Sequence, residues 1–147
     1  MVWLVAEDEP DIRMLVMTMF QLWGHEPLPF ENGQRVWEWL DAVEAPGFSG
    51  VLPELVLMDI RMPGRKGSEV AARMRQMPAF ARTPIALMTA FALSDSERRH
   101  MAEEDGVDEI IPKPLPEFDL LRQMLHDLLA KKHTPPAPEP SPVESAS

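Results

Sequence analysis

Four short apolar runs set the pattern of this chain: Val2 to Ala6, Leu55 to Met58, Pro84 to Met88, and Ile110-Ile111. Each is continuously apolar rather than alternating, which predicts strands buried on both faces in a parallel sheet. Each also stops abruptly at polar residues. Glu7-Asp8-Glu9 follows the first run, Asp59 the second, Thr89-Ala90 the third and Lys113-Pro114 the fourth. A weaker fifth run, His25 to Phe30, is interrupted by Pro27 and Pro29 and therefore belongs on a sheet edge.

Between these runs the apolar residues recur at helical spacing. Pro10 opens a helix whose Ile12, Leu15, Val16, Met19 and Trp23 form a core stripe ending at Gly24, with Met14 and Met17 on the opposite face. Asn32-Gly33 leads into a second helix with Val36, Trp37, Leu40 and Val43 facing inward. Trp39 is left over, and Phe48 and Val51 of the Pro/Gly-punctuated loop 45–53 are expected to fold back and cover it. Ser68 is expected to cap a third helix, with Val70, Ala71 and Met74 inward and Pro78 at its end. Ser94 and Glu97 form a capping box for a short polar helix that stops at Gly106. The last helix buries Leu121, Met124, Leu125 and Leu128, and Lys131-Lys132 suit its C-terminal dipole.

Five strands alternating with five helices predict an α/β protein, a (βα)5 doubly wound parallel five-stranded sheet, for which the order 2-1-3-4-5 known from flavodoxin/CheY-like folds is taken as the expectation. Such sheets bind ligands at the carboxyl ends of the strands where the order reverses, here between strands 1 and 3. Those two strands deliver Asp8 and Asp59. The domain is expected over residues 1–130, and the proline-rich stretch 131–147 is expected to be a disordered tail, since it lacks large apolar groups to bury.

Composition narrows the function classes. At 147 residues, 45% of them hydrophobic, the chain suits one domain with a sizeable core. The absence of cysteine excludes disulfides, thiolate metal sites and cysteine nucleophiles. A formal charge of -10 argues against direct nucleic-acid binding, which needs a basic footprint. No apolar run approaches the ~18 residues of a membrane span, so no membrane partner and a cytoplasmic location are expected. His25, His100, His126 and His133 lack metal spacing and read as ordinary surface residues.

The motifs together resemble the receiver domain of two-component response regulators. The resemblance rests on Glu7-Asp8, on Asp59 with Met62, Pro63 and Gly67 in a D-x-x-M-P-x-x-x-G run, on Thr89-Ala90 and on Lys113-Pro114. It implies a phosphorelay response regulator of the stand-alone type, phosphorylated on Asp59 by a sensor histidine kinase or histidine phosphotransfer protein. The residue types carry the same chemistry. Glu7, Asp8 and Asp59 brought together would repel one another unless a cation sat among them, and an all-oxygen set suits Mg2+. The resemblance assigns Asp8, Asp59 and the backbone carbonyl of Arg61 as metal ligands, with Glu7 acting through water. It gives Lys113, Thr89 and Ala90 the phosphoryl-stabilising and switch positions.

The family's inward-rotating aromatic position is Ile110 here, a departure, and Phe91 is the available substitute. Arg61 and Phe91 occupy the positions that modulate water access to the phosphoryl group. The Lys113-Pro114 bond is a candidate cis peptide. The resemblance further implies an output face of helix 4, strand 5 and helix 5 read by an unknown downstream protein, a phosphodonor meeting helix 1, and a monomer or weak dimer. The chain would then be no enzyme beyond its own phosphorylation and dephosphorylation. A flavin binder is disfavoured because Glu7-Asp8-Glu9 would repel the flavin phosphate, and a D-x-D phosphatase because Arg61 stands at the second carboxylate. The competing reading is an interaction module of the same fold that is not switched by phosphorylation.

Overall fold

The computed structural model describes residues 1–133. The chain runs β1 (Val2–Ala6), α1 (Pro10–Leu22), β2 (Glu26–Phe30), α2 (Gly33–Glu44), β3 (Leu55–Asp59), α3 (Gly67–Gln76), β4 (Ile85–Thr89), α4 (Asp95–Glu103), β5 (Glu109–Pro112) and α5 (Phe118–His133). A single 3-10 turn over Pro78–Phe80 precedes β4. All strand pairs are parallel, as the alternation of elements predicts, and the order is β2-β1-β3-β4-β5, the one expected.

The continuous apolar runs have a simple cause in this topology. Successive side chains of a strand point to opposite faces, and both faces of the central strands are covered by helices. Leu4 and Ala6 of β1 point into one core with Val36, Leu40, Val70 and Met74 of α2 and α3. Trp3 and Val5 point into the other, with Val16, Met19 and Phe20 of α1 and Leu121, Leu125 and Leu129 of α5. β2 lies at one edge of the sheet, beside β1, where Pro27 and Pro29 can be tolerated.

Four local expectations are corrected. The core line of α1 runs through Val16, Met19 and Phe20, and Leu15 stands 53% exposed, because the sheet meets the helix one position further round than the stripe predicted. Trp39 is covered by the rings of Phe30 and Phe80, at centroid distances of 5.6 and 6.0 Å, while Val51 is 71% exposed. Phe80 sits on the turn after α3, a contact distant in sequence from Trp39. Ser68 does not cap α3, which already begins at Gly67; the Glu69 carboxylate accepts from the Lys66 backbone N–H at 3.1 Å instead. His25 and His126 are partly buried and face each other, so they are not ordinary surface residues.

Other details follow the sequence closely. Ser94 Oγ accepts from the Glu97 N–H at 3.1 Å while Glu97 Oε1 accepts from the Ser94 N–H at 3.0 Å, the predicted capping box. The Lys113-Pro114 peptide is cis. The expected tail falls, from residue 134 onward, outside the described residues. No helix among the described residues is long and apolar enough to cross a membrane.

Candidate functional site

The carboxyl ends of β1, β3, β4 and β5 bring four polar tips together. After β1 the chain is held by three contacts: the Glu7 N–H donates to the Phe30 carbonyl at 3.1 Å, the Glu9 N–H donates to Glu7 Oε2 at 3.1 Å, and Arg13 Nη1 donates to the Glu7 carbonyl at 2.7 Å. After β3 the Gly67 N–H donates to the Ile60 carbonyl at 2.9 Å, folding the β3–α3 loop back beneath Asp59. A Cβ at residue 67 would lie 2.4 Å from the Asp59 carbonyl oxygen, so the close return admits only glycine. Gly64, at φ +85°, makes the turn itself.

Oxygens of the Glu7, Asp8 and Asp59 carboxylates all lie within 4.8 Å of one another. Glu7 is fully buried, Asp59 is 7% exposed, and Asp8 is open to solvent. Lys113 enters from the far side, its Nζ 2.8 Å from Asp59 Oδ2 and 2.5 Å from Glu7 Oε1. Burial raises the Glu7 carboxyl above its ordinary value, and the Lys113 ammonium only partly opposes this. Burial disfavours the charged Lys113, but its contacts with Asp59 and Glu7 outweigh that and hold it above the ordinary lysine range.

One ammonium, in contact with Glu7 and Asp59, faces a cluster of three carboxylates and cannot balance their charge alone. The cluster is oxygen-only and carries excess negative charge, which fits a hard divalent cation reached through the open Asp8 side.

Thr89 and Lys113 come together with these acids through the β4–β5 pairing, in which the Lys113 N–H donates to the Thr89 carbonyl at 2.8 Å. The Thr89 hydroxyl is engaged away from the acids: Oγ1 accepts from the Phe91 N–H at 3.0 Å and lies 3.3 Å from the Phe91 carbonyl. Ala90 is exposed beside it. Phe91 is 51% exposed, with the Arg61 guanidinium 4.0 Å above its ring centroid. The Arg61 N–H donates to Asp59 Oδ1 at 3.3 Å, so the residue that anchors this stack also touches the central carboxylate. Ile110 is half-buried against the core shared by α2 and α3.

Sequence reasoning passed over Arg13. An arginine six residues beyond an acidic tip, on the first turns of the following helix, can reach back to that tip's carbonyl, and this spacing was the available signal. Beside the site, an apolar groove of about 470 Å3 separates α1 from the β5–α5 loop, lined by Leu15, Met19 and Leu22 against Pro114, Leu115 and Phe118.

Comparison with known proteins agrees with this geometry. The response regulator receiver domain family matches residues 3–126. Regulatory protein AtoC of Escherichia coli is 33% identical over 131 residues, 88% of this chain and 26% of its own length. Sensor protein GacS of Pseudomonas syringae is 31% identical over 83% of this chain and 13% of its own length, so the chain spans a minor part of these curated relatives. Among solved structures, the receiver domain of a sensor histidine kinase from Pseudomonas aeruginosa superposes with a TM-score of 0.70 at 22% identity, covering 88% of this chain and 97% of that one. That structure holds a magnesium ion coordinated in its active-site cleft. The chemotaxis response regulator CheY4 of Vibrio cholerae superposes with a TM-score of 0.69 at 21% identity, covering 86% and 97%. With five parallel strands in the receiver order and the acids, threonine and lysine gathered at their tips, this chain belongs to the response regulator receiver domain family.

Proposed function

We propose that Asp59 accepts a phosphoryl group from the phosphohistidine of a sensor histidine kinase or a histidine phosphotransfer protein, and that the modified domain then docks on a downstream protein. The observation that carries this reading is the Asp59 carboxylate, buried among Glu7 and Asp8 with Lys113 Nζ at 2.8 Å. A carboxylate is a competent nucleophile toward phosphorus, and phosphoryl transfer needs chiefly positioning and positive charge. An Asp59 oxygen forms a bond to phosphorus as the bond from phosphorus to the donor imidazole nitrogen breaks, and the electron pair leaves with the imidazole.

Asp8, Asp59 and the backbone carbonyl of Arg61 would hold Mg2+, with Glu7 acting through water. The ion, when bound, supplies positive charge against the carboxylates and the incoming phosphoryl group. Lys113 offers its ammonium to a phosphoryl oxygen, and Thr89 gives up its Phe91 contacts to offer its hydroxyl to another. Ala90 is too small to block the approach. The protein is not an enzyme with a separate substrate, since the group it gains and loses is its own. The surface of α4, β5 and α5 is the output face, since the Thr89 loop leads directly into α4 and Lys113 leads into α5.

Intact mass after incubation with Mg2+ and a small acyl phosphate tests the reading. One phosphate adduct is expected on the native chain, and none after Asp59→Asn or after chelation of the metal. A native chain that stays unlabelled where a known receiver is labelled would favour an interaction module without a phosphoryl switch.

A further inference from the structure

Away from the phosphorylation site, two histidines distant in sequence meet across the fold. His25, just ahead of β2, and His126, on α5, approach with their Nε2 atoms 2.9 Å apart. His25 is stacked on Trp3 at a centroid distance of 3.8 Å, and His126 lies 4.9 Å from Trp3 and 5.9 Å from Trp23. Trp3 is fully buried, and the pair closes α5 over the end of α1 and the start of β1.

The hydrogen-bond partners fix where the protons lie. His126 Nδ1 is 2.8 Å from the Arg122 carbonyl, which can only accept, so that nitrogen carries a proton and His126 Nε2 is a lone pair. His25 Nε2 must then be the donor across the 2.9 Å contact. Its other nitrogen, Nδ1, is buried with no partner. A bare imidazole lone pair there costs little, but an N–H without an acceptor costs the desolvation of a charged donor. A further proton therefore has no place to go. On His25 Nδ1 it is orphaned, and on His126 Nε2 it forces either two N–H groups to face each other or the same orphan on His25.

The charged surroundings do not relieve this. The Met1 ammonium and His126 both disfavour a charge on His25, with burial the larger cause, and Glu54, ahead of β3, is the favourable neighbour. On α5, Arg122 lines the small cavity beside His126, and Asp127 is engaged by the Gln123 amide at 2.8 Å. Leu22 of α1 and Trp23 just after it bring no charge to that cavity, and Glu26 of β2 is solvated beside His25.

We propose that His25 and His126 are an acid-sensitive latch: a neutral, proton-sharing pair that seals α5 against Trp3 and Trp23, and that opens when either ring takes up a further proton. The latch bears on docking because Trp23 also touches Phe118, 5.3 Å away, and Phe118 lines the groove between α1 and the β5–α5 loop. Burial and His126 hold the His25 pKa below its ordinary value, and the sign of the linkage follows. In the unfolded chain His25 binds a proton near pH 6.5 that the folded ring refuses, so the stabilisation is full above about pH 6.5 and is lost progressively as the pH falls below it.

The test is urea unfolding of the 147-residue chain at about pH 7.5 and about pH 5, compared with the double variant His25→Phe with His126→Phe, which keeps two rings and removes both titrations. The native midpoint is expected to fall with acidification by clearly more than that of the double variant. Glu7 and Asp105, whose carboxyls are also raised by burial, are common to both proteins and cancel in the comparison. Equal shifts would overturn the proposal. Should the double variant fail to fold, imidazole proton NMR of the native chain decides. Titration of the His25 ring below the ordinary histidine range, together with a change in tryptophan fluorescence, supports the latch; a His25 ring titrating near pH 6.5 overturns it.

Discussion

The Arg61–Phe91 stack sits at the mouth of the Asp59 site, where two loops that approach each other only in the fold are bridged by a guanidinium on a ring. Phe91 is half exposed, so the stack contributes only about 0.5–1 kcal/mol. That is enough to matter for a lid. With Arg61 resting on Phe91, water would have to displace a side chain to reach the phosphoryl group proposed on Asp59. Phe91→Ala frees Arg61 and is expected to shorten the lifetime of the phosphorylated form by about two- to fivefold, the range set by that interaction energy. Decay of the phosphate adduct, followed by intact mass after the donor is removed, measures it; an unchanged rate would show that the stack guards nothing. Phe91 lies at the surface under Arg61, whereas Ile110 packs against the core.

Among the elements, the opposite end of the sheet from the site is tied by Asp108, in the turn from α4 to β5. Its Oδ2 accepts from Arg75 Nη2 of α3 at 2.7 Å and from the Ile85 N–H of β4 at 2.8 Å, and its Oδ1 accepts from Lys132 Nζ of α5 at 3.2 Å. Arg75 is itself drawn inward, donating to the Gly106 and Phe80 carbonyls, and burial lowers its pKa against the pull of Asp108. Removing the carboxylate leaves a half-buried guanidinium and a backbone N–H without their acceptor. Asp108→Ala is therefore expected to cost about 2–4 kcal/mol, read as a lower urea midpoint at unchanged slope.

Nothing in the local sequence announces Asp108, because its three partners come from three other elements. The same reason explains what was misread elsewhere. Strand runs, the Ser94–Glu97 box and the helix stops are local, and the sequence displays them. Leu15 against Phe20, the cover over Trp39 and the meeting of His25 with His126 depend on which side of a helix faces the sheet and on which remote residue arrives there. The candidate site was legible because the fold makes it nearly local: each chemical residue directly ends a strand, and the strand order alone brings those ends together.

At the scale of the whole molecule, the charged site and the apolar groove are neighbours with different tasks. The groove between α1 and the β5–α5 loop ends at Lys113, so a protein seated in it would hold its reactive group beside Asp59. Leu15 and Leu22 stand 53% and 70% exposed on its rim, although the rest of the chain carries a formal charge of -10 and has no shortage of polar residues for such positions. On the proposed function, a small acyl phosphate would need only the site, whereas a phosphohistidine protein seated in the groove would need both. Leu15→Glu places a charge where an apolar partner would be desolvated, and burying one leucine contributes roughly 1.5–3 kcal/mol, so transfer from a protein donor should slow by about tenfold or more. Leu15 lies outside the hydrogen-bonded cluster, so labelling by acyl phosphate should proceed at the native rate. Parallel losses with both donors would mean that the substitution damages the Asp59 site itself, and no loss with either would place the protein donor on another face.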